Sequence, residues 1–421
     1  MQQKKVLMLN GDGIGPELMR EGVKTLRAIA RKYQHRFEFT ESPFGANAFF
    51  THGNCYPQDT RKRVNSGEYD GILKGPVGLD PAGSERLRAA GVRLENETII
   101  ALRGDLDAYC CYRPVKLPKE LSFFSPLRPE IIGDGVDMLM LRELVGGIYF
   151  GQKAEGVTKE GKILDRSSDE CAYTRAQIER FAHACFREAS RLGGTLTNIH
   201  KANITATGRH WRAIFAEVAR RYPDVRLEEC LVDSFATYLI TRPTAFRGGV
   251  GFENMQGDII TDEAGGIIGS LGLMPSACIN PESGKGYYEP SHGSAPDIAG
   301  KNIANPYSMI GSVAFMLEKC FGMAEEAKDV WNALHNVFAQ GHMTRELLRK
   351  LNEAQKKARV DAALVDLSSA FRSIDYDLSD DGIRRLIERS YARRDSELEA
   401  RVVSTTQFGD LVSDYILAGR H

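Results

Sequence analysis

The stretch NMQGDIITDEAGGIIGSLGLMPSA, Asn254 to Ala277, sets two acids, Asp258 and Asp262, four residues apart. In a helix this spacing projects both carboxylates from one face, one turn apart, while Glu263 points elsewhere. Gly257, Gly265, Gly266, Gly269 and Gly272 make the helix weak, since each interior glycine costs about 1 kcal/mol against alanine. Weak propensity around aligned acids predicts a place where backbone and ligand approach closely. Two carboxylates on one face suit a hard divalent cation such as Mg2+ or Mn2+. A solvated acidic face at a helix start is the plainer alternative.

The chain around this stretch has 421 residues, enough for one large or two intertwined domains. Lys plus Arg number 55 and Asp plus Glu 56, a balance that argues against a nucleic-acid-binding surface. No apolar run approaches the roughly 20 residues of a membrane span. The start MQQKKVLMLNGDGIGPE lacks the apolar core of a signal peptide. The eight cysteines show no CxxC or zinc spacing, which predicts reduced thiols in a cytoplasmic protein.

Val6 to Leu9 reads as a buried strand, followed by the glycine turn Gly11-Asp12-Gly13-Ile14-Gly15-Pro16-Glu17 and a helical pattern to about Tyr33. That order fits a phosphate cradle or a plain tight turn about equally. Gly71 to Leu73 gives another strand, and the alternation of elements predicts an α/β fold with a largely parallel sheet. Arg103, Arg113 and Arg142 follow. Guanidinium forks grip carboxylates bidentately, so these arginines are candidates for binding a diacid. Tyr149 lies in an apolar, strand-like run. Gly156 to Glu170 reads as an arm or loop, and Tyr173 to Arg191 as an amphipathic helix. Lys201 lies in a strand-like segment, Thr197 to Ile204, where a lysine facing acids can accept a proton. Asp233 ends a further apolar run. Glu289 to Pro306 is a long loop of small residues, of the kind that is usually functional. Helical patterns run from Tyr307 to Met323 and from Glu325 to Gln340.

These segments together resemble the isocitrate/isopropylmalate dehydrogenase family, the β-decarboxylating dehydrogenases of 3-substituted (R)-malates. The motifs are GDGIGPE at Gly11, RELVGGIYFG at Arg142, HKANI at His200, GDIITDEA at Gly257 and EPSHGSAPDIAGKNIANP at Glu289. The resemblance implies the family's α/β fold, with a parallel or mixed sheet in a large domain and a smaller dimerisation domain. Residues 1–108 and 269–421 are expected to form the large, cofactor-binding domain, and 109–268 the small domain with the arm and dimer contacts. By resemblance, Asp233, Asp258 and Asp262 match metal ligands, and Asp233 comes from a partner subunit. Arg103, Arg113 and Arg142 match the carboxylate-binding arginines. Lys201, also from the partner, matches the base at the 2-hydroxyl, and Tyr149 the acid that protonates C3. Glu289, His292, Gly293, Asp297, Ile298, Asn305 and Asn203 match the nucleotide site. An acid at Asp297 favours NAD, since it accepts from a ribose hydroxyl and repels a 2′-phosphate.

The chain departs from the family pattern in places. Glu97 and Ile99 stand where isocitrate enzymes carry Ser and Asn, and the apolar pair Ile99-Ile100 would leave a third carboxylate unpaired. That disfavours isocitrate and suits an alkyl substituent. Gly104, Cys110-Cys111-Tyr112 and His200 are also unusual. A charged, helical insertion spans about 345–401, where Ser379 is expected to cap a helix carrying Ile383, Leu386 and Ile387 on one face. The expected function is NAD- and Mg2+/Mn2+-dependent oxidative decarboxylation of a 3-substituted malate, with 3-isopropylmalate foremost, by a homodimer with shared active sites. D-malate or tartrate dehydrogenation, a specialised-pathway 3-substituted malate, and a catalytically silent regulatory or assembly subunit are the rivals.

Overall fold

A computed structural model describes residues 1–158, 161–349 and 380–419 of the chain. Fourteen strands occur among them: β1 (Gln3–Leu9), β2 (Arg36–Ser42), β3 (Gly71–Lys74), β4 (Cys110–Pro118), β5 (Gly135–Glu143), β6 (Lys153–Ala154), β7 (Ser168–Asp169), β8 (Thr195–His200), β9 (Arg226–Leu231), β10 (Gly248–Phe252), β11 (Pro275–Ile279), β12 (Gly286–Pro290), β13 (Met343–Thr344) and β14 (Val402–Val403). Ten of them form one sheet in the order β2-β1-β3-β12-β11-β4-β5-β10-β8-β9. Strands β2, β1, β3 and β12 are mutually parallel, as are β5, β10, β8 and β9. Antiparallel β11 and β4 join the two parallel sets. The expected mixed α/β sheet is therefore present, and its two antiparallel strands sit at the centre.

Burial explains the strand sequences. All four residues of β3, GILK, are buried, and so are all five of β11, PSACI, as expected for strands covered on both faces. The helix Gly15–Tyr33, with Pro16 in its first turn, packs against the helix Thr405–Ala418 near the chain's end. The helix Arg175–Arg191 begins with a reciprocal capping box between Thr174 and Gln177. The pattern expected from Tyr307 to Met323 runs as a helix over Tyr307–Phe315 and a wider turn over Met316–Cys320. Gly322, at φ +69°, then ends it. The described residues of 151–174 carry the two-residue ribbon β6–β7 and a single bridge between Val157 and Ile163, and are mostly exposed. No helix among the described residues is long and apolar enough to cross a membrane.

Two expectations need correction here. Tyr149 is not on a strand: β5 stops at Glu143, and Tyr149 closes a short helical turn, Gly147–Tyr149. In the helix Asp380–Glu399, Ile383 and Ile387 are buried but Leu386 is 56% exposed, so the three do not share one buried face. Ser379 and its expected cap lie outside the described residues.

The stretch from Asn254 is helical over Asn254–Ile267, capped by Glu253, whose carboxylate accepts from the backbone N–H of Gln256 (2.8 Å) and Met255 (3.3 Å). Its glycines serve packing. A Cβ on Gly257 would lie 2.7 Å from Arg142 Cγ, and one on Gly265 would lie 2.3 Å from Leu271 Cδ2. Small residues let this helix sit directly on β5 and on the turn that follows the helix, which differs from the close ligand approach expected from propensity. We expect Gly265→Ala to destabilise the fold by about 1–3 kcal/mol through overpacking. A urea melt checks this: a lowered midpoint with unchanged slope is expected, and an unchanged midpoint would contradict the packing account.

Candidate active site

The central strands and the helix Asn254–Ile267 build one polar cluster. Arg113 comes from β4, Arg142 from the end of β5, and Arg103 from the short helix Ala101–Asp105. All three guanidinium-bearing residues are buried, Arg142 at 1% exposure. Arg142 Nη1 pairs closely with Asp258, and Arg113 Nη1 lies 2.8 Å from Asp262 Oδ1 and 2.6 Å from Thr261 Oγ1. Arg103 Nε donates to Tyr287 Oη at 3.2 Å. Tyr149 Oη donates to Asp258 Oδ2 at 2.8 Å. The arginines, Tyr149 and both aspartates singled out in the sequence thus converge. Arg113 Nε is buried with no hydrogen-bond partner among the described residues, a donor awaiting an acceptor.

The charges are unequal. Three buried cations face two carboxylates that are 41% (Asp258) and 55% (Asp262) exposed. Burial pushes the Asp258 carboxyl up, but Arg142, the Tyr149 hydroxyl, Arg113 and Arg103 more than offset it, so it titrates below the usual range. The Tyr149 phenol is pushed up to about 12 by burial and then by its bond to Asp258. It therefore carries its proton at neutral pH and can donate it.

A dense set of bonds aims these groups. Glu143 accepts from the backbone N–H of Val145 and Gly146, both at 2.9 Å, which folds the chain back after β5. Burial pushes its carboxyl up to about 7. Asn254 is fully buried at the first turn of its helix. Its Oδ1 accepts from Arg142 Nη2 (2.8 Å) and Nε (3.3 Å), and its Nδ2 donates to Gly146 O (3.0 Å). One amide therefore holds Arg142 and the turn leading to Tyr149 against the helix that carries Asp258. Tyr173 supports the same turn: a Cβ on Gly147 (φ +70°) would lie 2.4 Å from its Oη.

Lys201 and Asp233 form a second cluster. Lys201 follows β8, Asp233 lies in the first turn of the helix Val232–Thr241, and Lys201 Nζ donates to Asp233 Oδ1 at 2.7 Å. That bond holds the Asp233 carboxyl below its ordinary range. In the sheet, β10 separates β8 from β5. Within one chain Asp233 pairs with Lys201, and no group of three metal-binding side chains occurs among the described residues. His200 Nε2 lies 2.8 Å from Glu229 Oε2, and its Nδ1 accepts from Ala202 N at 3.2 Å. Asn203 is exposed.

The remaining candidates lie near the glycine turn. Ile14 N donates to Ser294 O at 2.8 Å, and a Cβ on Gly13 would lie 2.0 Å from that same oxygen. Close packing against other loops, which neither the cradle nor the plain-turn reading includes, accounts for the glycines of this turn. Asp12, fully buried, accepts from the backbone N–H of Ala46, Asn47 and Gly78. Glu289 lies on β12 and pairs with the fully buried Lys74. His292 Nδ1 lies 2.8 Å from Gly293 O. Asp297 and Gly293 are exposed and Ile298 is half-buried. Asn305 is buried, and its Oδ1 accepts from Tyr307 N at 3.1 Å. Ile99 is half-buried on the turn Asn96–Ile100, four residues before Arg103.

The family model described as isocitrate/isopropylmalate dehydrogenase matches residues 5–362. The chain belongs to the isocitrate/isopropylmalate dehydrogenase family. It is 41% identical over 351 residues to the 3-isopropylmalate dehydrogenase of Bacillus subtilis, covering 82% of this chain and 92% of that one. It is 40% identical over 364 residues to the enzyme of the same name from Shouchella clausii, covering 86% and 97%. The crystal structure of isocitrate dehydrogenase from Methylococcus capsulatus superposes with a TM-score of 0.73 at 24% identity, over 98% of this chain and 99% of that one, a likeness of fold.

Sequence reasoning in this family member missed Asn254, Lys74, Tyr287 and Glu143. Lys74 had a signal, a cation closing a wholly apolar strand. Asn254 had none, because it looks like an ordinary residue at a helix start. Asn254→Ala is expected to destabilise the fold by on the order of 2–4 kcal/mol, since Arg142 and Gly146 O lose buried partners. Asn254→Asp should cost less, because it keeps an acceptor for Arg142. Denaturant melts of both variants check this, and equal stability of Asn254→Ala and the parent would contradict it.

Proposed function

We propose that this protein is an NAD- and Mg2+- or Mn2+-dependent dehydrogenase that oxidatively decarboxylates a 3-substituted (R)-malate, with 3-isopropylmalate the first choice. The observation that carries the reading is the convergence of three buried arginines on Asp258, Asp262 and Tyr149. Buried arginines in excess of their acids, one with an unpaired Nε–H, suit a dicarboxylate.

The donor set fits a hard cation. Asp258 and Asp262 stand one turn apart and are partly exposed, and both offer only oxygen. Asp233 of a second copy is our candidate third ligand. Supporting a homodimer, Ile240 (45% exposed) and Ile259 (61%) leave apolar side chains open on two helices that touch each other. We assign residues 109–268 to a small domain making these contacts, and 1–108 with 269–421 to a large nucleotide-binding domain. For the nucleotide, the exposed Asp297 suits a ribose hydroxyl, beside the close-packed loops at Gly13 and Ser294.

When bound, the cation supplies Lewis acidity and NAD+ a hydride acceptor. The chain's own residues do the rest. Arg103, Arg113 and Arg142 bind and orient the two carboxylates. Lys201, from the second copy, takes the 2-hydroxyl proton. Tyr149, protonated at neutral pH, delivers a proton to C3 after CO2 leaves. Half-buried Ile99 and Ile100 offer the third substituent an apolar surface, which favours alkyl over carboxylate.

Steady-state rates with 3-isopropylmalate, D-malate, tartrate, isocitrate and homoisocitrate, each with NAD+ and with NADP+ and with and without EDTA, test this directly. The expected result is preferred turnover of 3-isopropylmalate with NAD+, lost in EDTA. Tyr149→Phe should lower kcat by about 10²-fold or more. Preference for D-malate or isocitrate would remove the substrate assignment, and turnover unaffected by EDTA would remove the metal.

A further inference from the structure

Directly beneath the arginine cluster, six residues form one row of register partners across the sheet. Ile72 of β3 pairs with Tyr287 of β12, Tyr287 with Cys278 of β11, Cys278 with Cys111 of β4, Cys111 with Arg142 of β5, and Arg142 with Phe252 of β10. Partners in adjacent strands point their side chains to the same face. Packing agrees: Cys111, Cys278 and Tyr287 share one apolar cluster with Leu102 and Leu144, whereas their strand neighbours Cys110, Tyr112, Ala277 and Ile279 pack in a different one. Both cysteines of the row are 1% exposed, and neither is in a disulfide.

We propose that Cys111 and Cys278 are an oxidisable dithiol that closes to a cross-strand disulfide beneath the arginine cluster. Three features carry this. Directly paired antiparallel residues have Cα atoms about 4.5–5.5 Å apart, inside the roughly 4.4–6.8 Å span of disulfides. Cys278 and Cys111 are direct register partners and pack in the same apolar cluster, so both thiols lie on one face of the sheet, side by side. Cys111 also shares its face with Arg113, two residues on in β4, and with its partner Arg142, and these cations favour its thiolate. Cys278 lies in the opposite environment: burial and Cys111 raise its thiol, and its Sγ lies 3.9 Å from Glu289 Oε1.

The step needs a two-electron oxidant, and a small peroxide is the class that fits. The Cys111 thiolate attacks a peroxide oxygen, the O–O bond breaks, and hydroxide leaves to become water, giving a sulfenic acid. The Cys278 thiol then attacks that sulfur, the S–O bond breaks, and a second water leaves carrying the Cys278 proton. Two thiols and one peroxide become one disulfide and two waters. The cross-link falls between Tyr287, which holds Arg103, and Arg142. It also takes the Cys278 proton from Glu289, so it alters the arginine cluster from below. This proposal rests on strand register and does not depend on which malate is the substrate.

The test exposes the full-length native protein to hydrogen peroxide, quenches, denatures, alkylates with N-ethylmaleimide and maps the peptides. The expected product is a Cys111–Cys278 linked peptide pair, about 2 Da lighter than its reduced halves together and abolished by dithiothreitol. Any turnover lost on oxidation should return on reduction. In Cys278→Ser the same treatment should leave Cys111 as a sulfenic acid, trapped by dimedone. Alkylation of all eight cysteines after peroxide, or a disulfide that omits either partner, overturns the proposal. Should Cys278→Ser not fold, the map of the parent protein decides alone. Because mass is the readout, a failed substrate assignment would leave this result standing.

Discussion

Three buried arginines, two on the central strands of the sheet and one on the short helix Ala101–Asp105, are the constraint around which this molecule is arranged. Removing an ion from water costs several kcal/mol even after relaxation, so each needs a partner in place. Arg142 has Asp258 and Asn254, Arg113 has Asp262 and Thr261, and Arg103 has Tyr287. The partners come from one helix and one strand, so the helix Asn254–Ile267 is held to β4 and β5 by charge as well as by packing. The glycine at 257 follows from this: it lets the helix approach Arg142 closely enough to pair with it.

That arrangement joins stability to chemistry. The Asn254 side chain bonds Arg142 and Gly146 O, and so ties the arginine and the Gly146 turn to the helix start. Displacing the helix would misplace an acid, an arginine and a tyrosine together. Lys201 and Asp233 are arranged differently: they hold each other at a more exposed position beyond β10. A pair neutralised in this way is well suited to being presented to another molecule, which is the part a shared site would give it.

Much of this was legible in the residues. Alternating elements announced an α/β fold with a largely parallel sheet but not the two antiparallel strands at its centre, and the four-residue spacing of Asp258 and Asp262 gave their common face. What escaped was of two kinds. Tyr149 was read as strand because its apolar neighbours Ile148 and Phe150 resemble one, whereas the two carboxylate bonds of Glu143 and the left-handed Gly147 turn the chain back. The glycines around the two acids suggest openings toward a ligand, but Gly257 and Gly265 face other parts of the chain. Such contacts join residues far apart in sequence, as Asn254 is from Gly146, so no local pattern announces them. The row from Ile72 to Phe252 is of the same kind, since it exists only once the strands are in register.

The central claim is that the arginines and the helix acids together form one site for a diacid and a cation. Calorimetric titration of Mn2+ into the protein, with and without 3-isopropylmalate, tests it most directly. A single site predicts that each ligand tightens the other by the same factor, as linkage requires. Mn2+ affinity indifferent to the malate, and malate affinity indifferent to Mn2+, would contradict it.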